Sequence, residues 1–201
     1  MDLLPGQDTV IGASQIEVRL SDTQKAMFRS DLDASAFLLG ENDKTHADED
    51  MLFFNNNSNA NNSVTMRSEQ GDTVFNVNLS ALPSSVAKIA LTVVIDGPDT
   101  LDGLEQLKMT ADGHTFNVPL QGRSEKALIV AHIYRHNGQF KIRAVGQGFD
   151  GGLHPLALHF GVDVASPEPA PSAAPVQAPS TTVSLEKKLA KAPALVSLAK
   201  P

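Results

Sequence analysis

The chain has 201 residues, a formal net charge of -7, 41% hydrophobic and 19% charged residues, and no cysteine. That size and apolar content allow a packed core in one large or two small domains, and the missing thiols exclude disulfides, thiolate metal sites and cysteine nucleophiles. The acidic balance argues against a protein that tracks nucleic-acid phosphates, no apolar run reaches the roughly 18 residues of a membrane-crossing helix, and residues 1–5 lack the basic stretch of a secretory signal, so a cytoplasmic location is expected.

Residues 16–20 (IEVRL) alternate apolar and polar, the period of a half-buried strand. Residues 73–79 (TVFNVNL) repeat it, with Val74 or Phe75 out of phase. Residues 88–95 form a nearly continuous branched run, the pattern of a strand buried on both faces. Ala111-Asp112-Gly113 marks a turn, and residues 115–120 alternate up to Pro119. Residues 127–134 and 139–145 flank His136-Asn137-Gly138. Asn-Gly between two strands predicts a type I′ hairpin, because that turn needs positive φ at both central residues. Many short strands with turn signals between them predict a mainly β protein, an antiparallel β-sandwich with one short C-terminal helix over 152–160.

The sandwich is expected to occupy residues 1–164. Residues 165–182 then carry Pro167, Pro169, Pro171, Pro175 and Pro179 among alanines and serines, which predicts an extended, disordered linker. Residues 183–201 repeat Val-Ser-Leu and place Leu185 and Leu189 on one helical face until Pro193 interrupts it. They read as a short amphipathic docking or spacer segment, with a frayed tail as the alternative.

Gly146, Gly148 and Gly151 spell a G-x-G-x-x-G between a strand and a helix. Such glycines cradle a nucleotide only inside a βαβ unit, with an acidic residue about twenty positions on. Here the preceding strands form an antiparallel hairpin, no parallel strand returns, and the acid at that distance, Glu168, falls in the proline-rich linker. The reading is a structural motif that permits positive φ and close backbone approach. A nucleotide-binding enzyme is the less favoured alternative.

The same stretch, residues 131–153 (AHIYRHNGQFKIRAVGQGFDGGL), resembles the C-terminal signature of the TerD family of bacterial tellurium-resistance and stress proteins. Residues 31–39 (DLDASAFLL) and 48–56 (DEDMLFFNN) are similar to its central signatures, residues 3–7 (LLPGQ) to its opening and residues 159–162 (HFGV) to its close. The resemblance implies a β-sandwich, no enzymatic activity, calcium binding, and association with resistance to tellurite, toxins and phage. It implies partners among other Ter-family proteins or a von Willebrand A-type domain in the same chain or operon. The acidic, glycine-rich loop of its calcium-binding members is reduced here to residues 62–72, where Glu69, Gly71 and Asp72 remain.

Calcium takes roughly six to eight oxygens, several from carboxylates. Asp31 and Asp33 share a face on a strand, and so do Asp48 and Asp50. Asn55, Asn56 and Asn57 offer amide oxygens, and Asp72 can approach from the next loop. The expected calcium ligands are Asp31, Asp33, Asn55, Asn56 and Asp72. The alternative is that the aspartates bond turn N–H groups, leaving a metal-free, partner-binding scaffold.

His132 and His136 lie about 13 Å apart along one strand face, too far to chelate one zinc. Tyr134 with Arg135 and Arg143 suggests an anion site, but arginines pointing outward from a hairpin and pairing with acids are the simpler reading. Without thiols to reduce or ligate a tellurium oxyanion, any resistance role would be indirect.

Overall fold

A computed structural model describes residues 1–162. The linker read at 165–182 and the segment read at 183–201 lie outside the described residues. Eleven strands and one helix follow in order. They are β1 (Asp8–Val10), β2 (Gln15–Gln24), β3 (Asp31–Leu39), β4 (Met51–Leu52), β5 (Val64–Glu69), β6 (Asp72–Asn78), β7 (Lys88–Asp96), β8 (Leu104–Ala111), β9 (His114–Asn117), β10 (Ala127–His136), β11 (Gln139–Phe149) and α1 (Leu153–His159).

The strands form two antiparallel sheets. One has six strands in the order β1-β11-β10-β7-β3-β4, the other five in the order β5-β6-β2-β8-β9. Alternation decides which side chains meet. Val18, Leu20, Phe75, Val77, Met109 and Phe116 of the smaller sheet join Leu38, Ile89, Leu91, Ile133 and Ile142 of the larger in one buried cluster. This is the sandwich core.

The larger sheet is apolar on its other face as well. Phe37, Leu39, Ala90, Val94, Ala127 and Ile129 pack there with Leu156, Ala157 and Phe160 of the helical segment. β7 therefore supplies both layers, which is why its sequence is an almost unbroken branched run.

The hairpin turns follow their residue chemistry. Asn137-Gly138 has φ of 51° and 76°, and Asp112-Gly113 has 46° and 73°. A third pair not singled out from the sequence, Gln70-Gly71, has 55° and 93°. Val74, suspected of being out of phase, points away from the core but is fully buried. It stands opposite Arg19 on one side and Arg67 on the other, and their alkyl stems lie beside it.

Two boundaries differ from expectation. The stretch read as 115–120 ends as a strand at Asn117, since Pro119 cannot extend a ladder. β11 runs on to Phe149 and contains most of the glycine motif.

Candidate functional site

The larger sheet carries an acidic group at the start of β3. Asp31 and Asp33, two residues apart, face the same side. Asp31 sits directly opposite Asp96 of β7, and Asp33 opposite Val94. Among the described residues, no hydrogen bond or ion pair engages these three carboxylates. All three side chains reach solvent, yet the Asp33 carboxyl is pushed above its ordinary range, first by partial desolvation, then by Asp96 and Asp31. Each of these causes disfavours its charge. Asp96 was not singled out from the sequence. Its signal is an acid that closes a run otherwise buried on both faces.

The other expected ligands are placed differently. Asn55 and Asn56 lie in the turn after β4, where Phe53 and Asn56 exchange backbone hydrogen bonds of 3.0 and 2.9 Å. The Asn56 side-chain amide donates to the Met51 carbonyl at 2.7 Å, so that group shapes the turn. Asn55 is exposed. Asp48 and Asp50 do not alternate on a strand, because residues 48–50 form a short 3-10 turn. Asp50 accepts from the backbone N–H groups of His46 and Ala47 at 3.0 and 3.2 Å.

Asp72 belongs to the smaller sheet. It stands opposite Glu69 across the Gln70-Gly71 turn. Arg19 donates to Asp72 at 3.2 Å, Glu69 at 2.7 Å and Glu17 at 3.1 Å, while Arg67 reaches Glu17 at 2.8 Å and Glu69 at 3.2 Å. Two arginines thus bind three acids into a cross-strand lattice. The acids left from the reduced loop serve this lattice, and what separates them is a two-residue hairpin turn rather than a loop.

The glycine motif has a packing explanation. Gly146 has φ of 75°, and its carbonyl accepts from Arg123 Nη2 at 2.8 Å. A Cβ on Gly148 would collide with the Glu125 side chain. β11 lies between β10 and β1, antiparallel to both. The motif therefore sits outside any βαβ unit.

The basic residues divide. Asp8 accepts from Tyr134 at 2.9 Å, Lys141 at 3.0 Å and Arg143 at 3.1 Å. These bonds, the Lys141 one foremost, lower its carboxyl to about 2. Arg143 thus pairs with an acid, as read from the sequence. Arg135 instead donates to the carbonyls of Leu82 and Val86 and lies over the Phe140 ring, 4.6 Å from its centroid. His132 is held neutral, its pKa lowered to about 4, chiefly by burial. Its Nε2 is buried without a hydrogen-bond partner among the described residues.

The fold and these surfaces define a β-sandwich module with an acidic end on its larger sheet and an arginine–carboxylate lattice on its smaller one. Residues 4–160 match the TerD domain, and the chain belongs to that family. It is 41% identical over 157 residues to the tellurium resistance protein TerA of Alcaligenes sp, a match covering 75% of this chain and 46% of that protein. The chain thus corresponds to about half of that relative's length. It is 35% identical over 153 residues to the tellurium resistance protein TerD of Serratia marcescens, covering 67% of this chain and 80% of that one. A crystal structure of a homologue of telluride resistance protein (TerD) from Streptomyces coelicolor A3(2) shares the fold, with a TM-score of 0.55 and 19% identity over 75% of this chain and 97% of that one.

Proposed function

We infer that the chain is a cytoplasmic tellurium-resistance and stress-response module that works by binding rather than catalysis, and that calcium acts at the acidic end of its larger sheet. The observation that carries this reading is the placing of Asp31 opposite Asp96 with Asp33 two residues on, and no counter-charge bonded to any of the three among the described residues. The relatives' names support the resistance role. Other Ter-family proteins, or a von Willebrand A-type domain in the same chain or operon, are the partners the family suggests.

The donor chemistry suits calcium, since carboxylates are hard oxygen ligands. Asp31, Asp33 and Asp96 are the carboxylates from which an ion at this sheet end would draw its ligands. The described residues do not form a ready cage. No three His, Cys, Asp or Glu side chains among them are grouped to hold a metal, and Asn56 and Asp72 are engaged elsewhere. The expected site is therefore open and weak. A bound cation supplies positive charge that offsets the carboxylate repulsion, while β3 and β7 fix where those carboxylates stand.

The test is isothermal titration calorimetry on the chelator-stripped chain, with magnesium as control. The expectation is calcium-selective heat with a Kd on the order of 10⁻⁴–10⁻³ M. It should be lost in the Asp31→Asn/Asp33→Asn variant and kept in Asp72→Asn. No heat up to millimolar calcium would select the second reading, a metal-free partner-binding scaffold. The tight Gln70-Gly71 hairpin favours that reading, because it replaces the acidic loop of calcium-binding members.

A further inference from the structure

β3 is paired along its whole length, Asp31–Leu39, with β7. On its other side β4 reaches only Ala36 and Phe37. The turn after β4 folds back on itself through Phe53 and Asn56. Among the described residues, no backbone hydrogen bond from a loop or turn reaches residues 31–35. Packing agrees. Ala36 and Leu38 are fully buried, whereas Leu32 and Ala34, which lie against the same core cluster, are only partly so.

The smaller sheet covers part of each of its edges. Thr115 of β9 exchanges backbone hydrogen bonds with Met1 and Leu3 at 2.9 and 2.7 Å. On β5, the Met66 N–H donates to Asn57 and the Val64 carbonyl accepts from Asn59. In the larger sheet, β1 is a three-residue edge. Among the described residues, the first half of β3 is therefore a run of open backbone donors and acceptors at the edge of its sheet, and an open edge is a template for another strand.

We propose that residues 31–35 receive an extended, basic segment of a partner protein as an added strand, with Lys or Arg at alternate positions. Charge selects this occupant. Asp31 and Asp33 project to one face with the two-residue period of a strand, and Asp96 adds a third negative charge on the adjoining strand. Residues directly opposite in a sheet have Cβ atoms about 4.5–5.5 Å apart, so alternate cations in the incoming strand would meet alternate carboxylates. A second copy of this chain is a poor occupant, since antiparallel pairing through the same edge sets Asp31 and Asp33 against their own counterparts. Phe54, 72% exposed where β4 stops covering β3, offers an apolar contact at the end of the added strand. The proposal rests on the binding-module reading and not on calcium, because the open backbone is independent of any ion. It uses the main-chain mode of recognition, in which the ladder gives affinity and alternate side chains give specificity.

The test is amide hydrogen exchange on the 201-residue chain with a synthetic peptide of roughly ten residues alternating Lys and Thr. Two peptides serve as controls: a Glu-Thr counterpart, and the Lys-Thr peptide N-methylated at alternate amides. The expectation is that the Lys-Thr peptide slows exchange at residues 31–35 by about tenfold or more. The Glu-Thr and N-methylated peptides should not, and Asp31→Asn/Asp33→Asn, checked by thermal melting to be folded, should lose the effect. Equal protection by the N-methylated peptide would overturn strand pairing, and so would no protection at 31–35. Calcium heat without peptide protection sinks the edge proposal alone. Protection without calcium heat removes the cation reading and leaves the edge standing.

Discussion

Asp31 stands directly opposite Asp96 in the ladder between β3 and β7, so two carboxylates share one rung of the larger sheet. Like charges directly opposite destabilise a sheet, in which a cross-strand side-chain pair is worth roughly 0.2–1 kcal/mol. Asp96→Asn should therefore raise stability by about that amount in chelator, measured by urea denaturation at neutral pH. If calcium binds this end of the sheet, the gain should shrink when calcium is added.

Asp33 gives the pH dependence of the same region. A carboxyl whose folded pKa lies above its unfolded value is protonated more readily in the folded state. Its penalty is absent at low pH and grows as pH rises from the ordinary carboxylate range through the folded value. Since burial, Asp96 and Asp31 all push Asp33 upward, Asp33→Asn should flatten this fall. Melting temperatures of both proteins across that range would show it, and parallel curves would contradict the assignment.

His132 acts at the acid end with a different sign. Its pKa is lowered from 6.5 to about 4, first by burial, with Lys88 and Arg143 adding repulsion, Asp43 opposing and His159 repelling. The unfolded chain binds the proton more readily, so the stability contributed by neutral His132 is complete above 6.5 and is lost as pH falls toward 4. His132→Leu also removes a buried Nε2 with no hydrogen-bond partner among the described residues. Its melting temperature should match or exceed that of the parent at neutral pH and fall less between pH 6.5 and 4.

The glycine motif predicts a conformational cost and no change in ligand binding. Gly146 has φ of 75°, so Gly146→Ala should cost about 1–2 kcal/mol, the penalty of a side chain in the left-handed region. Adding NAD or ATP should leave the melting temperature of the parent unchanged and the amide shifts of residues 146–152 undisturbed. Saturable shifts there would revive the nucleotide reading.

Phe160 tests the second core. Its ring lies 4.7 Å from that of Phe37, centroid to centroid, and it is 1% exposed. Phe160→Ala should cost about 3–5 kcal/mol, the usual range for an emptied aromatic site, read from denaturant midpoints. A loss below about 1 kcal/mol would mean that the segment ending α1 contributes little to the larger sheet's outer face.

The sequence by itself determined what depends on near neighbours. Asn137-Gly138 and Asp112-Gly113 make their turns because positive φ is a local property of those residues. The branched run at 88–95 declared a strand covered on both faces, and the two-residue period placed Asp31 and Asp33 on one face. The family motifs were legible for the same reason, being continuous stretches of chain. Only the tertiary structure decided which strands lie side by side. Register brings Asp96 opposite Asp31, 65 positions away by numbering (96 - 31). It also sends Asp72 to Arg19 in the other sheet, although in sequence Asp72 looks like the partner of Asn55 and Asn56. Among the described residues it leaves half of β3 uncovered because β4 is only two residues long. Side-chain facing repeats every two residues and can be read along the chain, whereas strand pairing is fixed by burial of the whole core, to which every strand contributes at once.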